Sequence, residues 1–104
     1  MRDVARANIL SAVATVSDVA LNIGSGTETS LLDLARLLCR VMGHPQFVPL
    51  HQEARAVNPV PRRLANVSKA RELIGFEATH SLEKGIAELV AWWRSETVLA
   101  GAAA

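Results

Sequence analysis

Val19-Ala20-Leu21-Asn22-Ile23-Gly24-Ser25-Gly26-Thr27-Glu28-Thr29-Ser30-Leu31-Leu32-Asp33-Leu34-Ala35 is the stretch on which the reading of the fold turns. Its first five residues read as a strand. They stop at Gly24 and Gly26, a turn signal with permissive backbone on both sides of Ser25. Thr29 or Ser30 then opens a helix, with Asp33 three residues past Ser30 in a loose capping-box arrangement. Leu31, Leu34, Ala35, Leu38 and Met42 share one helical face, and Arg36 and Arg40 mark the other. Gly43 stands where a left-handed C-cap belongs, and Pro45 bars continuation. Strand, turn and helix in that order predict an α/β unit.

Towards the N-terminus, Val4, Ala7, Ile9, Leu10, Val13 and Ala14 carry helical spacing from Asp3 to about Thr15. Asp3 is placed to cap this helix. Polar residues are scarce past Asn8, so the helix is expected to be covered on more than one side. Towards the C-terminus, Gln46–Leu50 reads as a second strand that Pro49 confines to an edge or an end. An irregular stretch follows from His51 to Leu64, with Pro59 and Pro61 and with Arg55, Arg62 and Arg63. Asn66 is placed to cap a short helix, Val67 to Ile74, that Gly75 ends. Ser81 is placed to cap the last helix, whose core face is Leu82, Ile86, Leu89, Val90 and Trp93. Core packing is the expectation for both Trp92 and Trp93. The expected architecture is a small mixed α/β domain of about four helices and two short strands. It forms one domain over 1–104, with a frayed tail at 100–104.

Composition narrows the function classes. A chain of 104 residues is bounded to one domain of modest core. Half of it is hydrophobic and 20% is charged, which fits an ordered domain. Eleven basic and ten acidic side chains leave a net charge of +1, no footprint for nucleic acid or an anionic membrane surface. No apolar run approaches the roughly 20 residues of a membrane span. The first residues, Met1 to Arg6, have no secretory-signal pattern. The single Cys39 cannot form an internal disulfide, so a cytoplasmic, reducing compartment is expected.

The chemistry-bearing residues are few. A dinucleotide fingerprint needs a third glycine where Thr29 stands, and a phosphate loop needs Gly-Lys-Ser/Thr. Gly24-Ser25-Gly26 is therefore expected to be a tight turn. His44, His51, His80 and Cys39 lack metal-ligand spacing, and no catalytic constellation is evident. The histidines read as surface or loop residues and Cys39 as a small core residue. Arg55, Asn58, Arg62 and Arg63 stand out, because guanidinium grips phosphate bidentately and an amide can bond sugar hydroxyls. A solvated charged loop, paired with Glu53, is the other reading of the same residues.

Three blocks carry a resemblance. Asp3-Val4-Ala5-Arg6-Ala7 is similar to an Asp-Val-Ala-x-Ala helix start. Leu21-Asn22-Ile23-Gly24-Ser25-Gly26 through Ser30–Ala35 is similar to an Asn-Ile-Gly-x-Gly strand, turn and helix. Asn66-Val67-Ser68-Lys69-Ala70 through Gly75-Phe76, then Ser81-Leu82-Glu83-Lys84-Gly85-Ile86, is similar to an Asp-x-Ser-Lys-Ala…Leu-Gly-Phe…Ser-Leu-Glu-Glu-Gly-Leu ending. Together they resemble the C-terminal, substrate-binding part of the extended short-chain dehydrogenase/reductases, the NAD-dependent epimerase/dehydratase family of UDP-glucose 4-epimerase type. The likeness covers nearly the whole chain in order.

The resemblance implies a nucleotide-sugar-binding part without its Rossmann half. In that family the Rossmann domain holds NAD and carries a Tyr-x-x-x-Lys pair. This chain has no Tyr, so no catalytic residue and no cofactor contact are assigned to it, and no activity is expected of it alone. By resemblance Arg55 is the diphosphate contact, Asn58 stands where Asp is usual, and Arg63 is a further substrate-binding position. Asn66 likewise replaces an Asp. The ligand class is a UDP-sugar-like nucleotide sugar. The chain is expected to be a fragment or a short gene product of such an enzyme. A complete enzyme of another type lacks support, and a structural remnant without ligand is the alternative. The expected partners are a missing Rossmann domain or a second copy, with Val4, Ile9, Leu10 and Val13 near the contact.

Overall fold

The computed structural model describes residues 1–53 and 62–103. Among them lie four helices: α1 (Arg2–Val13), α2 (Leu31–Val41), α3 (Ser68–Ile74) and α4 (Leu82–Ala103). No strand occurs among the described residues, and this overturns the mixed α/β expectation. At 19–23 the alternation itself is present: Leu21 and Ile23 turn inward while Asn22 stays exposed. What is missing is a neighbour. A strand exists only through a ladder of N–H and C=O groups on an adjacent segment, and no described segment supplies one. At 46–50 a turn takes the start of the expected strand. The Phe47 N–H donates to the His44 carbonyl at 3.1 Å, closing four residues with Pro45 in the second place. Val48 and Leu50 are then left exposed.

The described residues form two compact units, 1–28 with 62–81 and 29–53 with 82–103. In the first, α1 packs on α3. Ala7 and Ala70 are both fully buried there, and such small side chains let two helices approach closely. Gly75, at φ 66°, ends α3 in the left-handed conformation, and Phe76 follows it into the cluster at 1% exposure. Ile74 completes the buried set, with Leu10, Ala14, Val16, Leu21 and Ile23 packed around it. α1 is not covered on several sides: Val4, Ile9 and Val13 are exposed. Among the described residues the seven-residue α3 is its only helical partner in the unit, and it is too short to flank it.

Asp3 does not cap α1, whose N-cap is Met1. Its carboxylate instead reaches across the chain. It accepts from the Thr79 N–H (3.2 Å), the Thr79 hydroxyl (3.0 Å), the His80 N–H (3.1 Å) and His80 Nδ1 (3.1 Å). Arg6 adds an ion pair at 3.2 Å. The same guanidinium donates to the Glu77 carbonyl and lies 5.5 Å from the centre of the Phe76 ring, a cation–π contact. His80, read as a surface or loop histidine, lies in the loop before α4 and is thereby half-buried and bonded.

In the second unit α2 packs on α4. Ser30 caps α2 as the sequence suggests, accepting from the Asp33 N–H at 3.1 Å and donating to Asp33 Oδ2 at 2.6 Å. Its C-terminus closes with the Gly43 N–H on the Arg40 carbonyl and the His44 N–H on the Cys39 carbonyl, a Schellman motif around the left-handed Gly43. Leu37 and Val90 are the buried residues, and Arg94 donates to the Met42 carbonyl at 2.9 Å. The two tryptophans are not core: Trp92 is 58% and Trp93 51% exposed. Length explains this. The 11 residues of α2 and the 22 of α4 correspond to about 16 Å and 33 Å, so much of α4 has no helix beside it within the unit. Cys39 is half-buried rather than core. Among the described residues no helix is long and apolar enough to cross a membrane.

Burial alone would raise the Asp3 pKa, but the donors from His80 and Thr79 outweigh it and hold the carboxyl well below its ordinary range. A carboxyl depressed in the folded state stabilises the fold above its unfolded pKa, about 3.9, and that contribution fades as pH falls below it. Urea midpoints measured between pH 6 and pH 3 are expected to drop less steeply in Asp3→Asn than in the parent. Parallel curves would remove Asp3 from acid sensitivity.

Candidate functional site

Two adjoining depressions of about 440 and 470 Å3 open in the first unit. The loop Gly24–Thr27 forms one side, and residues 63–68 with Arg71 form the other. Asp18, at φ 56°, turns the chain into the extended run that delivers this loop. Ser25 Oγ organises it by accepting from the Thr27 N–H at 3.3 Å and bonding the Thr27 hydroxyl at 3.0 Å. Across the gap, Asn66 Oδ1 accepts from the Ser68 N–H at 3.0 Å. Asn66 therefore does help start α3, although Val67 is the N-cap residue.

The glycines have a clear physical cause. A Cβ on Gly24 would lie 3.2 Å from Ala65 Cβ, and one on Gly26 would lie 3.2 Å from Val67 Cγ2. Gly26 also sits at φ 72°, where only glycine is unstrained. The chain's own side chains thus fill the space beside both glycines. A dinucleotide loop keeps that space for a pyrophosphate. These residues do not fit a nicotinamide cofactor loop.

Charge at the site is partly committed. Arg62 grips Glu28 with both ends of its guanidinium, Nε to Oε1 at 2.8 Å and Nη2 to Oε2 at 2.5 Å. The pair lowers the Glu28 pKa and raises that of Arg62. Arg71 pairs with Glu77 at 3.0 Å. Arg63 lines the smaller depression, is exposed, and has no ion-pair or hydrogen-bond partner among the described residues. Arg55 and Asn58 lie outside the described residues, so of the three expected substrate-binding positions the structure places Arg63 alone. The sequence reading missed the acceptor role of Glu28, which stands 34 residues from Arg62. No local spacing connects them. Among the described residues no cluster of three or more His, Cys, Asp or Glu suits a metal ion.

With this geometry in place, the likeness to known proteins gains meaning. The chain is similar to portions of enzymes that act on thymidine-diphosphate sugars. It is 32% identical over 77 residues to a dTDP-4-dehydro-6-deoxy-D-allose reductase of Streptomyces bikiniensis, covering 74% of this chain and 23% of that protein. It is 35% identical over 75 residues to a dTDP-L-rhamnose 4-epimerase of Burkholderia thailandensis, covering 72% and 20%. A second dTDP-4-dehydro-6-deoxy-D-allose reductase, from a Streptomyces species, is 31% identical over 74 residues. The chain thus spans about a fifth of the length of the curated relatives it matches. No family model matches it, and no solved structure does.

Gly26→Ala is expected to lower the unfolding free energy by about 1–2 kcal/mol from the left-handed backbone alone, with the Val67 contact adding to it. Gly43, at φ 87°, has nothing within 4 Å of a Cβ, so Gly43→Ala is expected to lose less. Urea unfolding of both variants decides it. Equal losses would show that Val67 yields without resistance.

Proposed function

We propose that this chain is the sugar-nucleotide-binding portion of a protein of the NAD-dependent epimerase/dehydratase family, and that its ligand is a thymidine-diphosphate sugar. The likeness to a reductase and an epimerase that share this nucleotide carries the reading. It replaces the UDP of the UDP-sugar-like ligand that the motifs imply with thymidine diphosphate. In this reading Arg55 holds the diphosphate, Asn58 bonds beside it, and Arg63 adds a second cation at the rim of the depression. A guanidinium with no partner among the described residues, at the edge of a depression, suits a phosphate oxygen. The chain supplies no cofactor loop and no proton-abstracting Tyr, so hydride chemistry belongs to a Rossmann domain that would close the other wall of the cleft.

Calorimetric titration with dTDP and with UDP tests the ligand. An isolated half-cleft binds weakly, because one wall and its contacts are missing. The expected result is measurable dTDP binding, weaker UDP binding, and a loss of about tenfold or more in Arg55→Gln, the scale of one charged hydrogen bond. Arg63→Gln is expected to lose less. No heat with either nucleotide would favour a structural remnant, and equal affinity in Arg55→Gln would remove Arg55 from the site.

The exposed Val4, Ile9 and Val13 of α1 are, in the same reading, a partner surface. In the absence of a Rossmann domain the occupant is a second copy of the chain. Sedimentation equilibrium is expected to show a dimer that Ile9→Asp shifts to monomer. A monomer at all concentrations would refute it.

A further inference from the structure

The second unit holds a feature that the sugar-nucleotide reading does not use. Residues 45–51 run beside α2 and enclose a groove of about 490 Å3, within the size range of small-molecule sites. Its α2 wall is the stripe Leu32, Arg36, Cys39 and Arg40, which a helix places on one side. Its other wall is mostly apolar and includes the Phe47 ring.

The two arginines are the anomaly. They stand four residues apart, so like charges face each other across one turn, an arrangement that destabilises a helix. Arg6, Arg62, Arg71 and Arg94 each have an acceptor. Arg36 and Arg40 have none among the described residues. Asp33, three residues before Arg36, is already engaged with Ser30. Phe47 is 59% exposed, and its ring is held flat against His44, with centroids 4.9 Å apart and planes within 8°. A fixed, exposed ring is a platform for stacking a second flat group. Two guanidinium forks with no partner among the described residues match a dianion such as a phosphate monoester.

We infer that this groove binds a phosphate ester carried on a flat aromatic body, with Arg36 and Arg40 on the phosphate and Phe47 beneath the ring. The site goes beyond the proposed nucleotide-sugar function and does not depend on it, since it shares no residue with the depressions around Ser25.

Cys39 lines the groove and is the sole cysteine of the chain, so its alkylation reports on this place alone. The probe is phenyl phosphate, with inorganic phosphate and phenol as its two halves, and iodoacetamide is the uncharged reagent. At a phenyl phosphate concentration ten times its Kd, the Cys39 alkylation rate is expected to fall roughly tenfold by mass action. The side-chain Nε–Hε signals of Arg36 and Arg40 are expected to shift in the same titration. The exposed pair R36Q/R40Q is expected to weaken protection by more than about tenfold. Inorganic phosphate should bind more weakly than phenyl phosphate, and phenol should protect nothing. Absence of both protection and arginine shifts overturns the proposal, as does equal protection in R36Q/R40Q. Inorganic phosphate protecting as well as its phenyl ester overturns it too, because the ring platform then contributes nothing.

Discussion

The carboxylate of Asp3 is the point on which the first unit is hung. Four buried residues, Ala7, Ala70, Ile74 and Phe76, are a thin apolar cluster, and a seven-residue helix has little stability of its own. Something must set the register of α1 against the chain that follows α3. Asp3 does so by collecting the amides of Thr79 and His80, while Arg6, one turn on, holds the Glu77 carbonyl and covers Phe76. With those two side chains fixed, Ala7 falls opposite Ala70, and the cluster closes. Apolar contact alone is non-directional and would tolerate a slip; the charge-assisted bonds do not.

What was legible in the sequence was local. Ser30, Gly43 and Gly75 end or begin helices by contacts within a few residues, and the chain states such contacts directly. Residues 19–23 were read as a strand; Leu21 and Ile23 do pack inward, yet an alternating pattern carries no information about a ladder partner. Asp3 was misread as a cap because a first-turn acid is usually one, whereas its real partners lie 76 and 77 residues away. Trp93 continues a helical stripe in the sequence, but a stripe does not reveal how long the covering element is. Arg62 was read as one of three loop arginines, either phosphate-gripping or solvated and paired with Glu53, because its real partner Glu28 is remote in sequence.

The depression around Ser25 shows how one pattern serves two ends. A pair of glycines between an extended run and a helix suggests a nucleotide loop in a sequence. In the folded chain the pair lets residues 64–67 lie close against the loop, and the packing itself accounts for both glycines. Arg63 is brought to the rim by that same packing.

Both units are discontinuous: each is assembled from two stretches, and the stretches interleave along the chain. This has a consequence for the order of events at the ribosome. The first unit cannot close before its second stretch, which ends at Ser81, is made, and the second unit cannot close before the stretch that begins at Leu82. Asp3 must wait for His80, and at about 5–20 residues per second that interval is roughly 4–15 s. During it, α1 exposes Ala7 and Leu10 with nothing to cover them. The nascent chain is thus committed to late closure, the first unit ahead of the second, a topology in which long-range pairing rather than local helix formation sets the pace.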